Sequence, residues 1–202
     1  MAYAIGYCIH TLEFHALRGW GVAFLGFVAA STGMGSALLS PTTTLTLLGL
    51  IATFASVAGN EGAIYFGRRR LITFTMIASA LCAVTLGLVG PQSYLIAVAL
   101  LLVYGLLISL DSSSLTAGTA GSADPARRGA TLAVHSMLGY AGGFVGPLIV
   151  GWALDLFGGM TSTAWAVAYS IVASLVAAGL LVFLVMRPGS LAGDRIEQRP
   201  IK

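Results

Sequence analysis

Residues 9–20 read IHTLEFHALRGW and lie inside a long apolar run that extends over about residues 2–31. That run is long enough to cross a bilayer as one helix. An ionisable side chain near the centre of such a helix costs about 2.5–3.5 kcal/mol on insertion scales, so it usually faces a wet cavity or a partner. We therefore expect a functional site at the four ionisable residues of this segment: His10, Glu13, His15 and Arg18.

The composition of the whole chain is that of an integral membrane protein. Of its 202 residues, 57% are hydrophobic and only 8% are charged, whereas soluble domains carry roughly 25% charged residues. The two cysteines, Cys8 and Cys82, both lie in apolar stretches. We expect them to be small packing residues, and the sequence predicts neither a bound metal nor a cofactor.

Six apolar stretches are long enough to cross a membrane, since about 20 helical residues span the hydrocarbon core. Glycine, serine and proline mark the breaks between them, for example at Ser40-Pro41 and Gly90-Pro91. We predict an all-α bundle of six transmembrane helices as one domain over residues 1–186, followed by a cytoplasmic tail, residues 187–202, that we expect to be disordered. The predicted helices cover residues 2–31, 41–66, 71–89, 93–118, 129–157 and 162–186.

The positions of the basic residues predict the orientation of the bundle. The first, third and fifth connections contain no Lys or Arg, while the second, the fourth and the tail contain nine of the ten. By the positive-inside rule, both termini are cytoplasmic in a multi-pass protein of the cell membrane, with the bacterial inner membrane as the expected location. The high pI of about 9.1 then reflects topology, and we expect no nucleic-acid partner. The nine residues are Arg68, Arg69, Arg70, Arg127, Arg128, Arg187, Arg195, Arg199 and Lys202.

Several motifs, in their order along the chain, resemble the major facilitator superfamily of transporters. Members carry two six-helix halves and a G-x-x-x-D-R-x-G-R-R signature between the second and third helices of a half. Gly67-Arg68-Arg69 matches its end, whereas Ile64 and Tyr65 occupy the positions of its acidic residue and first arginine. The run from Gly142 to Pro147 is similar to a G-x-x-x-G-P motif of the fifth helix, and residues 6–20 resemble the seventh helix of one bacterial branch.

The resemblance implies that the chain corresponds to the C-terminal six-helix half of such a transporter, working by alternating access. It implies a small-molecule substrate, a proton as a candidate coupling ion, and contact with a missing N-terminal half or a second copy within the lipid bilayer. The candidate substrate or ion pathway comprises Glu13, Arg18, His10, His15, Trp20, Asp111 and His135. The candidate cytoplasmic gate comprises Glu61, Gly67, Arg68, Arg69 and Arg70. A helix-packing motif comprises Gly142, Gly146 and Pro147.

Two interpretations of the charges in the first helix stay open. At 100° per residue, Glu13 and Arg18 lie about 140° apart, so they do not form a simple local salt bridge. Either this arc lines the solute path, with Glu13 as a proton or cation site and Arg18 as its long-armed partner or an anion-substrate contact, or the charges form a structural ion pair. A hydrogen bond that serves only packing is likewise the alternative for Asp111, and retention of topology is the alternative for the residues 61–70 cluster.

The main alternative function is a truncated or accessory membrane subunit that packs with partner helices and does not transport. We do not expect an enzyme. An intramembrane serine protease is disfavoured because no G-x-S-x-G nucleophile elbow occurs, and the serines after Asp111 have no histidine at a recognisable spacing. The substrate, the direction of transport and the coupling ion are left open by the sequence, as is the choice between a fragment, a half-transporter and a homodimer.

Overall fold

The computed structural model describes residues 1–33, 39–189, 191 and 194, and the regular structure of these residues is entirely helical. Short 3-10 turns at Gly90–Gln92 and Pro125–Arg127 precede α4 and α6. The α-helices are α1 (Ala2–Thr32), α2 (Pro41–Phe66), α3 (Arg68–Val89), α4 (Tyr94–Ser109), α5 (Ser112–Gly121), α6 (Arg128–Leu156) and α7 (Ser162–Met186).

By length and composition, five segments of the described chain could cross a membrane, which makes this a multi-pass, all-helical membrane protein. They are Pro41–Phe66, Arg68–Gln92, Tyr94–Gly121, Pro125–Leu156 and Ser162–Met186. The helix α1 is long enough, with 31 residues, but it is not among the five because its ionisable side chains lower its hydropathy. Within the bundle, α1 packs against α2, α4, α5, α6 and α7.

Local chemistry explains where α2 begins and where α2 ends and α3 starts. Ser40 caps α2 by accepting a hydrogen bond from the Thr43 N–H at 3.1 Å. A single residue, Gly67, separates α2 from α3, and its φ of 97° is a conformation that favours glycine. The three arginines after it therefore begin α3, and our prediction that they lie in a loop was wrong.

The predicted fourth helix, residues 93–118, is broken in the structure. The helix α4 ends at Ser109, α5 begins at Ser112, and the Leu110 N–H bonds back only three residues, to the Leu107 carbonyl at 3.3 Å. At this break α2 comes very close, since a Cβ on Gly59 would collide with the backbone carbonyl of Leu110. The break therefore has backbone from a second helix packed directly against it.

Aromatic side chains fill the core between α1, α4 and α7. Trp165 is fully buried, with its ring centroid 5.1 Å from that of Phe24, and Tyr104 and Tyr169 lie nearby with centroids 6.5 Å apart. The bundle is thus tightly packed toward the end of α1 that follows Trp20. The polar residues of α1 lie on the other side of this aromatic core.

Two predictions fall partly on residues that the structure does not describe. Of the predicted first connection, residues 34–38 lie outside the described residues. In the predicted tail, residues 190, 192–193 and 195–202 also lie outside the described residues. They include Arg195, Arg199 and Lys202. The described part of the tail contacts the bundle, because the Tyr3 hydroxyl donates to the Gly189 carbonyl at 2.6 Å.

Candidate functional site

His10 and Asp111 form a buried contact between α1 and the break before α5. Nδ1 of His10 lies 2.8 Å from Oδ1 of Asp111. Since a carboxylate can only accept, Nδ1 carries a proton whenever Asp111 is ionised. The hydroxyl of Thr75 on α3 donates to the other oxygen of Asp111 at 3.4 Å. The break thus places a carboxyl group where side chains from two further helices reach it.

Glu13 lies one turn along α1 from His10 and is only 3% exposed. Ser79 on α3 donates to its Oε2 at 3.2 Å, while Oε1 has no hydrogen-bond partner among the described residues. The Tyr104 hydroxyl faces the same carboxyl group without the geometry of an ordinary hydrogen bond. A buried oxygen without a partner calls for a specific explanation. A proton or a cation could occupy this place.

His135 extends the polar cluster from α1 to α5 and α6. Its two ring nitrogens lie 3.0 Å from the Thr119 hydroxyl and 3.3 Å from the Thr116 hydroxyl. Its ring stacks on Tyr7 with centroids 4.0 Å apart, and Tyr7 in turn stacks near His10 with centroids 5.7 Å apart. Both imidazoles are therefore held in place by aromatic contacts as well as hydrogen bonds.

Arg18 and His15 point away from this buried cluster and are exposed. The Arg18 guanidinium lies 5.5 Å from the centroid of the Phe14 ring, within the range of a cation–π contact. His15 places Nδ1 2.9 Å from the Thr11 carbonyl and lines a groove of about 310 Å³ between α1 and α6. Neither ion pair in the described part of the chain contains Glu13 or Arg18, so these two residues do not form the structural pair that we considered.

A polar cleft of about 210 Å³ opens on one face of the bundle. It is bordered by α1, by α2 and by the two sides of the break between α4 and α5. The residues of α2 and of the α4–α5 segment that line it lie near the middle of their candidate membrane-spanning segments. The full lining is His10, Phe14, Arg18, Gly49, Ala52, Thr53, Ser56, Ser109 and Ser112. His10 thus contacts Asp111 on one side and the cleft on the other.

A second buried polar cluster surrounds Arg68, which is 3% exposed. Its guanidinium donates to the Asn60 side chain at 3.0 Å and to the Ser114 carbonyl at 3.2 Å. It also contacts Asp194 at 2.9 Å. Of the predicted gate residues only Arg68 is in this cluster, because Glu61, Arg69 and Arg70 are exposed. Neither side-chain partner of Arg68, Asn60 or Asp194, was predicted from the sequence.

Trp20 and the α6 motif join α1 to α6. The Trp20 indole N–H donates to the Pro147 carbonyl at 2.8 Å, so its polar atom is already occupied. A Cβ on Gly142 or Gly146 would collide with the backbone carbonyls of Cys8 and Leu12, respectively. The two helices are therefore in direct backbone contact along this motif.

No protein-family model matches this chain, and no curated protein matches it either. Within the described residues, no group of three His, Cys, Asp or Glu side chains is placed to hold a metal ion. What the geometry offers is a set of ionisable side chains inside a helical membrane protein, next to an open polar cleft.

Proposed function

We propose that this chain is the C-terminal six-helix half of a secondary transporter of the major facilitator type, which moves a small solute by alternating access. The observation that carries the proposal is the polar cleft near mid-depth, with the ionisable residues His10, Asp111 and Glu13 beside it. Such residues inside a membrane bundle are costly, and they typically line substrate and ion pathways.

The cleft is open on one side, which suits one half of a two-part carrier. Its walls come from α1, α2 and the α4–α5 break alone. In transporters built from two repeats, the solute site lies between the halves near the bilayer midplane. We therefore propose that the opposite wall comes from an N-terminal half or a second copy, in a cell membrane with both termini in the cytoplasm.

The broken crossing segment at Leu110–Asp111 also supports this proposal. Discontinuous helices near the midplane release backbone polar groups that can meet ions and substrates, and they are tolerated where they line a cavity. Asp111 lies just before the start of α5, where the helix dipole favours a negative charge.

Sided labelling of a cysteine in the cleft tests alternating access without knowledge of the substrate. In a background with Cys8 and Cys82 replaced by serine, Thr53→Cys places a thiol on the cleft wall. Right-side-out and inside-out vesicles from the cells that produce the protein are treated with a membrane-impermeant thiol reagent. We expect Thr53→Cys to be labelled from both sides, because alternating access exposes the cleft to each in turn.

Two exposed positions serve as controls that report a single side. Thr42→Cys, at the start of α2, should react only in right-side-out vesicles, and Ala126→Cys, before α6, only in inside-out vesicles. If Thr53→Cys reacts from one side only, or from neither, alternating access is wrong and the accessory-subunit alternative is favoured. Exchanged control patterns would instead show that the predicted orientation is inverted.

A further inference from the structure

The Arg18 guanidinium faces the cleft without a counter-charge from the described part of the chain. It is exposed, it lies near the middle of α1, and its recorded contact is with the Phe14 ring. The nearest acids along α1 and across the cleft are engaged elsewhere, since Asp111 contacts His10 and Glu13 is buried against Ser79. A cation inside a membrane bundle usually faces a wet cavity or pairs with another group, so the exposed guanidinium can take an anion from the cleft.

Two of the four hydroxyl groups that line the cleft, those of Thr53 and Ser109, do not compete with Arg18 as donors. Thr53 donates to the Gly49 carbonyl at 3.0 Å, and Ser109 donates to the Gly105 carbonyl at 2.7 Å. Their protons are therefore directed at their own helices. The N–H groups of Arg18 remain as the charged donors that line the cleft, and their planar fork matches a carboxylate in a bidentate manner.

From this geometry we infer that the cleft binds a small organic carboxylate, with its anionic group on Arg18; this inference rests on the proposed function and specifies the class of solute. The volume of about 210 Å³ equals that of about seven water molecules at about 30 Å³ each. A compact monocarboxylate fits within that space. The Phe14 ring beside the guanidinium offers an apolar surface for the rest of such a molecule.

Charged thiol reagents test the anion preference directly. Thr53→Cys, in the same cysteine-free background and the same vesicles, is treated with a sulfonate-bearing methanethiosulfonate and with a trimethylammonium-bearing one. We expect Arg18→Gln to lower the ratio of the anionic to the cationic reaction rate by about tenfold, because a charged, partly dry cleft concentrates counter-ions. Arg128→Gln, at the exposed start of α6, removes one positive charge elsewhere and should leave the ratio unchanged.

Protection by a matched pair of probes tests carboxylate binding. Benzoate should slow the labelling of Thr53→Cys at least threefold at a concentration where benzamide, of the same shape and uncharged, has no effect. Arg18→Gln should abolish this protection, while Arg18→Lys should keep the charge preference of the reagents and weaken protection by benzoate.

Two outcomes would overturn the inference. The first is a reagent ratio unaffected by Arg18→Gln, as would result if an acid of a partner helix or a lipid phosphate already neutralised the guanidinium. The second is that benzoate gives no protection or gives no more than benzamide. These two outcomes can be distinguished from failure of the transport proposal. A cleft that is labelled from one side only would contradict alternating access, but it could still show a preference for the anionic reagent.

Discussion

The pairs His10–Asp111 and Arg68–Asp194 have nearly the same length, 2.8 and 2.9 Å, and all four side chains are buried. They differ in what holds the partners. His10 lies within α1, and Asp111 lies at a break between two helices of one crossing segment. Asp194 instead follows the last helix, beyond Met186. Asp111 is therefore held between two helices, whereas Asp194 belongs to no helix of the described chain.

The residues around the two ion pairs also differ. His10 borders the open cleft, so its contact with Asp111 can respond to a bound solute. Arg68 fastens α2, α3 and α5 together through Asn60 and the Ser114 carbonyl, and it keeps these bonds if Asp194 departs. Distance and burial alone therefore do not decide what it costs to break an ion pair. The free-energy cost of breaking an ion pair also depends on how firmly each of the two side chains is held in place.

The largest effect is expected for His10→Ala. The substitution leaves Asp111 buried without its partner, and removal of one member of a buried pair typically costs about 3–5 kcal/mol. The free energy of unfolding, measured by SDS titration in mixed micelles, should fall by about that amount. The double variant His10→Ala/Asp111→Ala serves as the control and should recover part of the loss. A loss below about 1 kcal/mol for the single variant would show that Asp111 can reach water after all.

An intermediate loss of stability is expected for Gly59→Ala. This substitution affects the contact of α2 with the break between α4 and α5. The added methyl group collides with the Leu110 carbonyl, so α2 must move away, at a cost of about 1–3 kcal/mol for overpacking. Gly49→Ala is the matched control on the same helix, because a Cβ there meets no atom within 4 Å. It should be neutral or stabilising by up to about 1 kcal/mol in the same titration. Equal losses in both variants would contradict the close contact at the break.

The smallest effect on stability is expected for Asp194→Ala. Arg68 keeps two neutral acceptors, so we expect a loss of about 1.5 kcal/mol, the low end for a hydrogen bond to a charged group. The local effect should be larger, with labelling of a cysteine at Leu191 accelerated at least fivefold because its segment is released. Asp155→Ala removes an exposed acid of α6 and is the control. Unchanged labelling at position 191 would mean that Asp194 does not hold the segment.

The sequence predicts the helices well because hydropathy, caps and glycines act locally. Ser40-Pro41 begins α2 as expected, and three ionisable residues of α1 lie in the cleft or the buried cluster: His10, Glu13 and Arg18. The break at Leu110–Asp111 escaped prediction because the residues around it include neither proline nor a glycine at the break itself. Asp111 followed by three serines is typical of a helix start, but we predicted that these residues lie inside one continuous helix.

The partners inside the bundle escaped prediction for another reason. His10 and Asp111 are 101 positions apart, and Arg68 and Asp194 are 126 positions apart. A helical wheel shows which residues share one helix face, as it did in separating Glu13 from Arg18, but it contains no information about the neighbouring helix. The polar composition of the tail likewise gave no sign that Asp194 would contact Arg68.

The contact of α6 with α1 at Gly142 and Gly146 has a mechanical consequence. The carbonyls of Cys8 and Leu12 occupy the places where side chains would otherwise act as spacers, so neither helix can slide or roll on the other without a backbone collision. We therefore expect α1 and α6 to move together as one rigid unit. The hydrogen bond from the Trp20 indole N–H to the Pro147 carbonyl also joins them. Any large movement of α1 is thus expected to occur relative to α2, on the side of the cleft, and to leave the contact with α6 intact.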